Sequence, residues 1–218
     1  MISEVENIDC MLAMSKFPDK FFELAIVDPP YGIRRDEGFE GFEGFGGFGK
    51  PIARKRYKGW GDENTPNQEY FTELLRVSKN AIIWGGQFFT DKLPKSGHWI
   101  FWDKQNTMPT FGDGELAYTT FERNSVKRYI YQYNGLLSKD KDERIHATQK
   151  PKQLYKWLLT HYAKEGDKIL DTHLGSGSSR IAAHDLGFDF YGYELDKDYF
   201  VAQEKRFKNH VSQTVIKF

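Results

Sequence analysis

Residues 167–196 read DKILDTHLGSGSSRIAAHDLGFDFYGYELD, and the order of residue types there decides the fold. Lys168 to Asp171 is a short apolar run ending on a carboxylate. Gly175 and Gly177 then permit a tight turn with close backbone approach, Ser178 to Leu186 has a helical pattern, and Asp189 to Tyr193 is a second strand candidate before Glu194. Strand, glycine turn, helix, strand and acid is the layout of a nucleotide-binding βαβ unit, and Glu194, 19 positions beyond Gly175 (194 − 175), stands near the spacing at which a carboxylate meets a ribose hydroxyl. A nucleoside fits this unit. Gly175-Ser176-Gly177-Ser178-Ser179-Arg180 lacks the third glycine of G-x-G-x-x-G, which argues against NAD and admits a ligand without a pyrophosphate. By itself a glycine pair is equally consistent with an ordinary loop.

Working outward, further strand candidates are Phe21 to Val27, Ala81 to Trp84, Trp99 to Trp102 and Leu116 to Phe121, each short and rich in β-branched or aromatic residues. Thr65-Pro66-Asn67-Gln68 reads as a capping box with proline at the first helical position, opening a helix to about Val77. Lys150-Pro151 opens another, with Leu154, Trp157, Leu158 and Tyr162 on one face, and Asp198 to Phe207 is a last one. This alternation predicts an α/β fold with a doubly wound parallel sheet, in which ligands bind at the carboxyl ends of the strands. One domain over residues 1–218 is expected, with variable segments at 34–61 and about 122–145.

Bulk properties exclude more than they assign. Lys plus Arg and Asp plus Glu both number 31, so overall charge selects no partner. Cys10 is the only cysteine, which removes internal disulfides and a cysteine metal cluster and suits a reducing cytosol. The acidic start MISEVENIDC is unlike a signal peptide, and no stretch is apolar enough for a membrane span. No metal and no membrane partner is expected.

Two local features carry chemistry. Residues 27–32, VDPPYG, end an apolar run on a carboxylate, two prolines and an aromatic ring, a stiff extended exit that holds its groups still. Residues 38–49, GFEGFEGFGGFG, hold six Gly, four Phe and two Glu, a density of glycine that predicts a loop. They run into KPIARKRYK, where Lys50, Arg54, Lys55, Arg56 and Lys58 could meet phosphates while Tyr57 and Trp60 pack or stack, together a candidate flap over a phosphate-bearing ligand. A charge run is otherwise only a solvated face.

DPPY at 28–31, HATQKPKQLYKWLL at 146–159 and GDKILDTHLGSGSSRIAAHDLG at 166–187 together resemble the S-adenosylmethionine-dependent DNA amino-methyltransferases, and their order resembles the beta class. The resemblance covers nearly the whole chain. It departs at His173, where the family often has phenylalanine, and at Ala147, where it often has proline. It implies a Rossmann-like, mostly parallel sheet of the class I methyltransferase type with small inserted loops, S-adenosyl-L-methionine as cofactor, and DNA as partner in the cytoplasm. Whether a homodimer or partner subunit is needed, and whether the setting is restriction-modification, stays open.

The resemblance also implies roles. The Asp28 carboxylate and Pro29 carbonyl would accept the hydrogens of an exocyclic adenine amine, Pro30 would stiffen the turn, and Tyr31 would stack on a base taken out of the duplex. Asp9 and Cys10 would contact the cofactor adenine, Glu194 its ribose with Leu195 beside it, and Lys150 its methionine carboxylate. Asp171, Thr172, His173, Leu174, Gly175, Ser176 and Gly177 would line the loop around it, with His146 as a hydrogen-bonding partner rather than a metal ligand. Aspartate ahead of P-P-Y favours adenine N6 over cytosine N4, where the family more often has serine. Cys10 in Asp-Cys-Met is misplaced for cytosine C5 chemistry, which needs a nucleophilic thiolate after proline. A cytosine-N4 DNA methyltransferase, an RNA or protein substrate, or an inactive nucleic-acid-binding partner of the same fold remains as an alternative.

Overall fold

A computed structural model describes residues 1–33, 63–106, 112–133, 144–146 and 148–214. The Gly/Phe stretch and the basic run, with Lys50, Arg54, Lys55, Arg56, Tyr57 and Lys58, lie outside the described residues, as do Ala147 and much of the second variable segment. Among the described residues eight strands form one sheet: β1 (Ser3–Glu6), β2 (Phe22–Val27), β3 (Ser78–Trp84), β4 (His98–Asp103), β5 (Gly114–Thr119), β6 (Ser125–Ile130), β7 (Lys168–Asp171) and β8 (Asp189–Tyr193). The helices are α1 (Cys10–Met14), α2 (Gln68–Val77), α3 (Lys152–Tyr162), α4 (Ser178–Leu186) and α5 (Lys197–Thr214).

The strand order is β1-β8-β7-β2-β3-β5-β4-β6. Every neighbouring pair is parallel except β3 with β5 and β5 with β4, so β5 alone runs against the rest. The sheet is thus mostly parallel, as expected, with one reversed strand. Only residues 104–113 join β4 to β5, too short for a crossover helix, and a short connection returns its strand antiparallel.

Alternation along the central strands divides the core. Leu24, Ile26, Ile82 and Trp84 point to one face, where Leu154 and Leu158 of α3 and Ala182 and Ala183 of α4 cover them. Ala25, Val27, Ala81 and Ile83 point to the other, under Ala13 and Met14 of α1 and Phe71 and Leu74 of α2. Both faces are covered, so these strands read as continuous apolar runs rather than alternating ones.

Strand order also positions the site. From β7 the chain proceeds to β8 on one side, and from β2 to β3 on the other, while β7 and β2 are themselves neighbours. That is the switch point at which α/β sheets open a crevice at their carboxyl ends. Asp28 and Asp171 stand there together.

Other local differences have simple causes. Asn67, not Thr65, caps α2: its side-chain oxygen accepts from Tyr70 N at 3.0 Å, and Thr65 Oγ1 instead accepts from Lys92 Nζ at 2.6 Å. Pro66 therefore precedes the cap rather than opening the helix. On α3, Leu154, Leu158 and Tyr162 are buried and Trp157 is half-buried. Helix α5 runs on to Thr214, well past Phe207. The strands β1 (SEVE) and β6 (SVKRYI) are edge strands with charged or exposed positions, so they carry little of the apolar signal that marks an interior strand.

Candidate active site

Strand β2 ends at Val27, and the chain leaves the sheet at Asp28. Tyr31 donates its hydroxyl hydrogen to Asp28 Oδ1 at 2.5 Å. The tyrosine ring lies against Gly85 and stacks on Phe88, with centroids 5.2 Å apart and planes 22° off parallel. Gly85 has φ of 69°, and a Cβ there would overlap the Tyr31 ring, so only glycine admits the ring in this place. Burial, and then the Asp28 charge, push the Tyr31 phenol well above its ordinary range, keeping it a proton donor.

Lys150 reaches the same carboxylate from just before α3. Its Nζ donates to Asp28 Oδ2 at 2.5 Å and to the Tyr31 hydroxyl at 3.1 Å, and stands 3.0 Å from Glu115 Oε2. Lys104 closes the other side of Glu115. Burial would lower the Lys150 ammonium, yet Asp28 and Glu115 outweigh it and leave its pKa raised. Burial would likewise raise Glu115, but Lys150 and Lys104 hold it at about 2. The cluster sets two carboxylates against two ammoniums.

The glycine turn after β7 is tied down from below and behind. Asp171 Oδ2 accepts from Ser179 Oγ at 2.6 Å and Oδ1 from His173 N at 3.0 Å, and burial pushes its carboxyl up to about 7. Glu194 Oε2 accepts from Gly175 N at 2.7 Å and Oε1 from Asp196 N at 2.9 Å, and burial raises it too. Gly177 caps α4 with φ of 70°, where a Cβ would meet Gln203 of α5 at 3.1 Å. Arg206, also on α5, donates to Ser176 O at 2.7 Å and Ser178 Oγ at 3.0 Å. A last helix thus braces the loop.

Thr172 Oγ1 bonds both the Tyr70 hydroxyl at 2.7 Å and His173 Nδ1 at 2.9 Å. Burial pushes His173 and His146 down to about 4 each, so both imidazoles are neutral at pH 7. Asp9 caps α1 through Oδ1, which accepts from Met11 N at 2.7 Å, and burial, then Asp9, push the Cys10 thiol up to about 12. That thiol is no nucleophile.

These two halves share one cleft of about 670 Å³, a size suited to a small-molecule ligand. All the expected cofactor and catalytic residues line it except Asp171 and Gly177, which lie beneath. Sequence reading missed Tyr70, Glu115, Tyr155 and Tyr199, which also line it. Glu115 stands one residue ahead of a predicted strand and belongs to no motif; only its place on β5, across from Lys150, marks it. Lys150, expected at a cofactor carboxylate, lies on Asp28 and Glu115.

A family model described as DNA methylase, of the N6/N4 methyltransferase group, matches residues 79–205, more than half of the chain. The chain belongs to this DNA methylase family. Among curated relatives, the methylase is 22% identical to the type II methyltransferase M.HinfI of Haemophilus influenzae over 92% of its own length and 67% of that enzyme. It is 30% identical to the type II methyltransferase M2.DpnII of Streptococcus pneumoniae over 49% of each chain, so it spans about half the length of that relative. Among solved structures, the methylase superposes on M1.HpyAVI in complex with SAM with a TM-score of 0.59 at 20% identity, covering 94% of this chain and 100% of that one. It superposes on the cytosine-N4-specific PvuII DNA methyltransferase with a TM-score of 0.59 at 10% identity, covering 97% and 92%. The fold is that of these enzymes, α/β and Rossmann-like. Among the described residues no helix is long and apolar enough to cross a membrane.

Proposed function

We propose that the chain transfers a methyl group from S-adenosyl-L-methionine to the N6 amine of adenine in DNA, as a beta-class, DPPY-type methyltransferase. The observation that carries this reading is the juxtaposition, in one cleft, of the Asp28-Pro29-Pro30-Tyr31 turn with the glycine loop and Glu194.

The residues present fit the cofactor. Glu194 and Asp9, after β8 and β1, each keep carboxylate lone pairs beyond the backbone N–H groups they accept, enough for ribose hydroxyls and an adenine amine. Leu195, 72% exposed at the rim, offers an apolar contact, with Cys10 and Ile8 near it in the lining. Neutral His173 and Thr172, with Leu174 and the loop from Gly175 to Gly177, would surround the methionine part. The cofactor, when bound, supplies an electrophilic sulfonium methyl.

The rest is done by the chain. An exocyclic adenine amine is a poor nucleophile because its lone pair is conjugated into the ring. Asp28 and the Pro29 carbonyl accept its two hydrogens and concentrate electron density on nitrogen, and Asp28 stabilises the positive charge arriving there. The prolines and the Tyr31 hydroxyl hold the carboxylate in place, so little reorganisation accompanies the transfer. The base has to leave the duplex to reach this depth, and the Tyr31–Phe88 pair, with Phe88 38% exposed, offers it an aromatic surface. Arg54, Lys55, Arg56 and their neighbours would hold the DNA backbone, in the cytoplasm and in a restriction-modification setting like that of type II enzymes.

Incubation with labelled cofactor and separate DNA, RNA and protein pools tests the reading. Label in DNA supports it; label confined to RNA or protein, or in no pool, overturns it.

A further inference from the structure

We infer that Glu115 is a positioning residue for methyl transfer, acting through Lys150 on the Asp28 carboxylate. The inference rests on the functional reading above.

Glu115 sits at the start of β5, paired across the sheet with Trp102 of β4, and its Oε2 is shut off from solvent without a hydrogen-bond donor in good geometry. A buried carboxylate oxygen in that condition costs stability unless a charge faces it. Lys150 Nζ faces it at 3.0 Å while donating to Asp28 Oδ2 at 2.5 Å, so one ammonium is divided between two carboxylates. The division fixes Lys150 in direction as well as charge. Its side chain is 4% exposed and lies over the rings of Tyr31 and Trp84 at 5.6 and 5.4 Å, leaving it little room to turn.

Two consequences follow for the reacting amine. First, with Glu115 taking part of its charge, Lys150 does not fully neutralise Asp28, which stays a strong acceptor. Second, Lys104 and Lys150 balance Glu115 and Asp28, so the cluster is neutral, whereas Glu115→Gln would leave a net positive charge beside the nitrogen on which positive charge develops. The loss belongs to the transition state rather than to cofactor binding.

The test is a double-mutant cycle with Glu115→Gln and Lys150→Met, read by kcat on DNA, by cofactor Kd from calorimetry, and by thermal unfolding. Glu115→Gln is expected to lower kcat by about tenfold or more, with cofactor Kd changed by less than about threefold, and Glu115→Asp to recover part of the loss. In the Lys150→Met background, Glu115→Gln should cost distinctly less in kcat than it does with Lys150 present, because the group through which it positions Asp28 is gone and only its through-space charge remains. Unchanged kcat in Glu115→Gln with an active wild type overturns the inference alone. So does an additive double mutant, or a kcat loss matched by a fall in melting temperature that Glu115→Asp does not relieve. A wild type inactive on DNA, RNA and protein alike overturns the functional reading and this inference with it.

Discussion

The two walls of the cleft are built from different materials. Around the glycine loop, carboxylates meet backbone N–H groups and hydroxyls: Glu194 takes Gly175 N and Asp196 N, and Asp171 takes His173 N and Ser179 Oγ. Around Asp28 they meet ammoniums, since Lys150 and Lys104 balance Asp28 and Glu115. The first wall is local in sequence and fixes geometry. The second draws on residues 28, 104, 115 and 150, which only the fold brings together, and fixes charge as well as geometry. On the proposed function the first would be a binding wall and the second a reacting wall, and such a difference is expected because a cofactor contact is made equally in ground and transition states, while the amine would gain charge only in the transition state.

The sharpest way to break this contrast is Asp28→Ala. Methyl transfer should fall by about a thousandfold or more while calorimetry still finds most of the cofactor affinity, because Lys150 keeps Glu115 as a partner and the binding wall is untouched. Turnover within a few-fold of wild type would mean that the acid is not at the reacting amine.

On the opposite wall, Glu194→Ala should weaken cofactor binding by about tenfold to a hundredfold with little loss of kcat at saturating cofactor. A lower kcat at unchanged Kd would place Glu194 in the reacting wall and erase the distinction.

Replacing Arg54, Lys55 and Arg56 together with alanine acts on neither wall. DNA affinity should fall for all sequences alike, the slope of log K against log salt should fall by about one unit for each phosphate no longer neutralised, and cofactor Kd should not move. Identical slopes would make the run a solvated face, and altered sequence preference would make it a reader of bases.

The smallest effect expected is one of pH. His173 has its folded pKa lowered from the ordinary 6.5 to about 4, chiefly by burial, so the folded chain holds it neutral where the unfolded chain protonates it. Its contribution to stability is therefore lost as pH falls from about 6.5 toward 4. His173→Phe removes that loss, and the drop in melting temperature from pH 7 to pH 5 should be smaller than in the wild type by a few degrees. An equal drop in both would show that the imidazole titrates normally and is open to water.

What could be read in advance follows the same division. The stretch 167–196 is contiguous, and its strands β7 and β8 and helix α4 lie where the residue pattern puts them. The DPPY turn, also contiguous, stands at the end of β2 beside it. The edge strands β1 and β6 lacked a buried face to pattern them, and the reversed direction of β5 depended on the length of a connection rather than on the strand itself. Glu115 and the Lys150–Asp28 pair were out of reach, since no local sequence signal says which charges of distant segments will meet; residues 28 and 150 are 122 apart.

The most direct measurement is mass spectrometry of nucleosides from DNA incubated with S-adenosylmethionine and either wild type or Asp28→Ala. The account predicts N6-methyladenine with the wild type and none above background with the variant. N4-methylcytosine as the only product would overturn the choice of adenine, and equal N6-methyladenine from both proteins would contradict the mechanism built on Asp28.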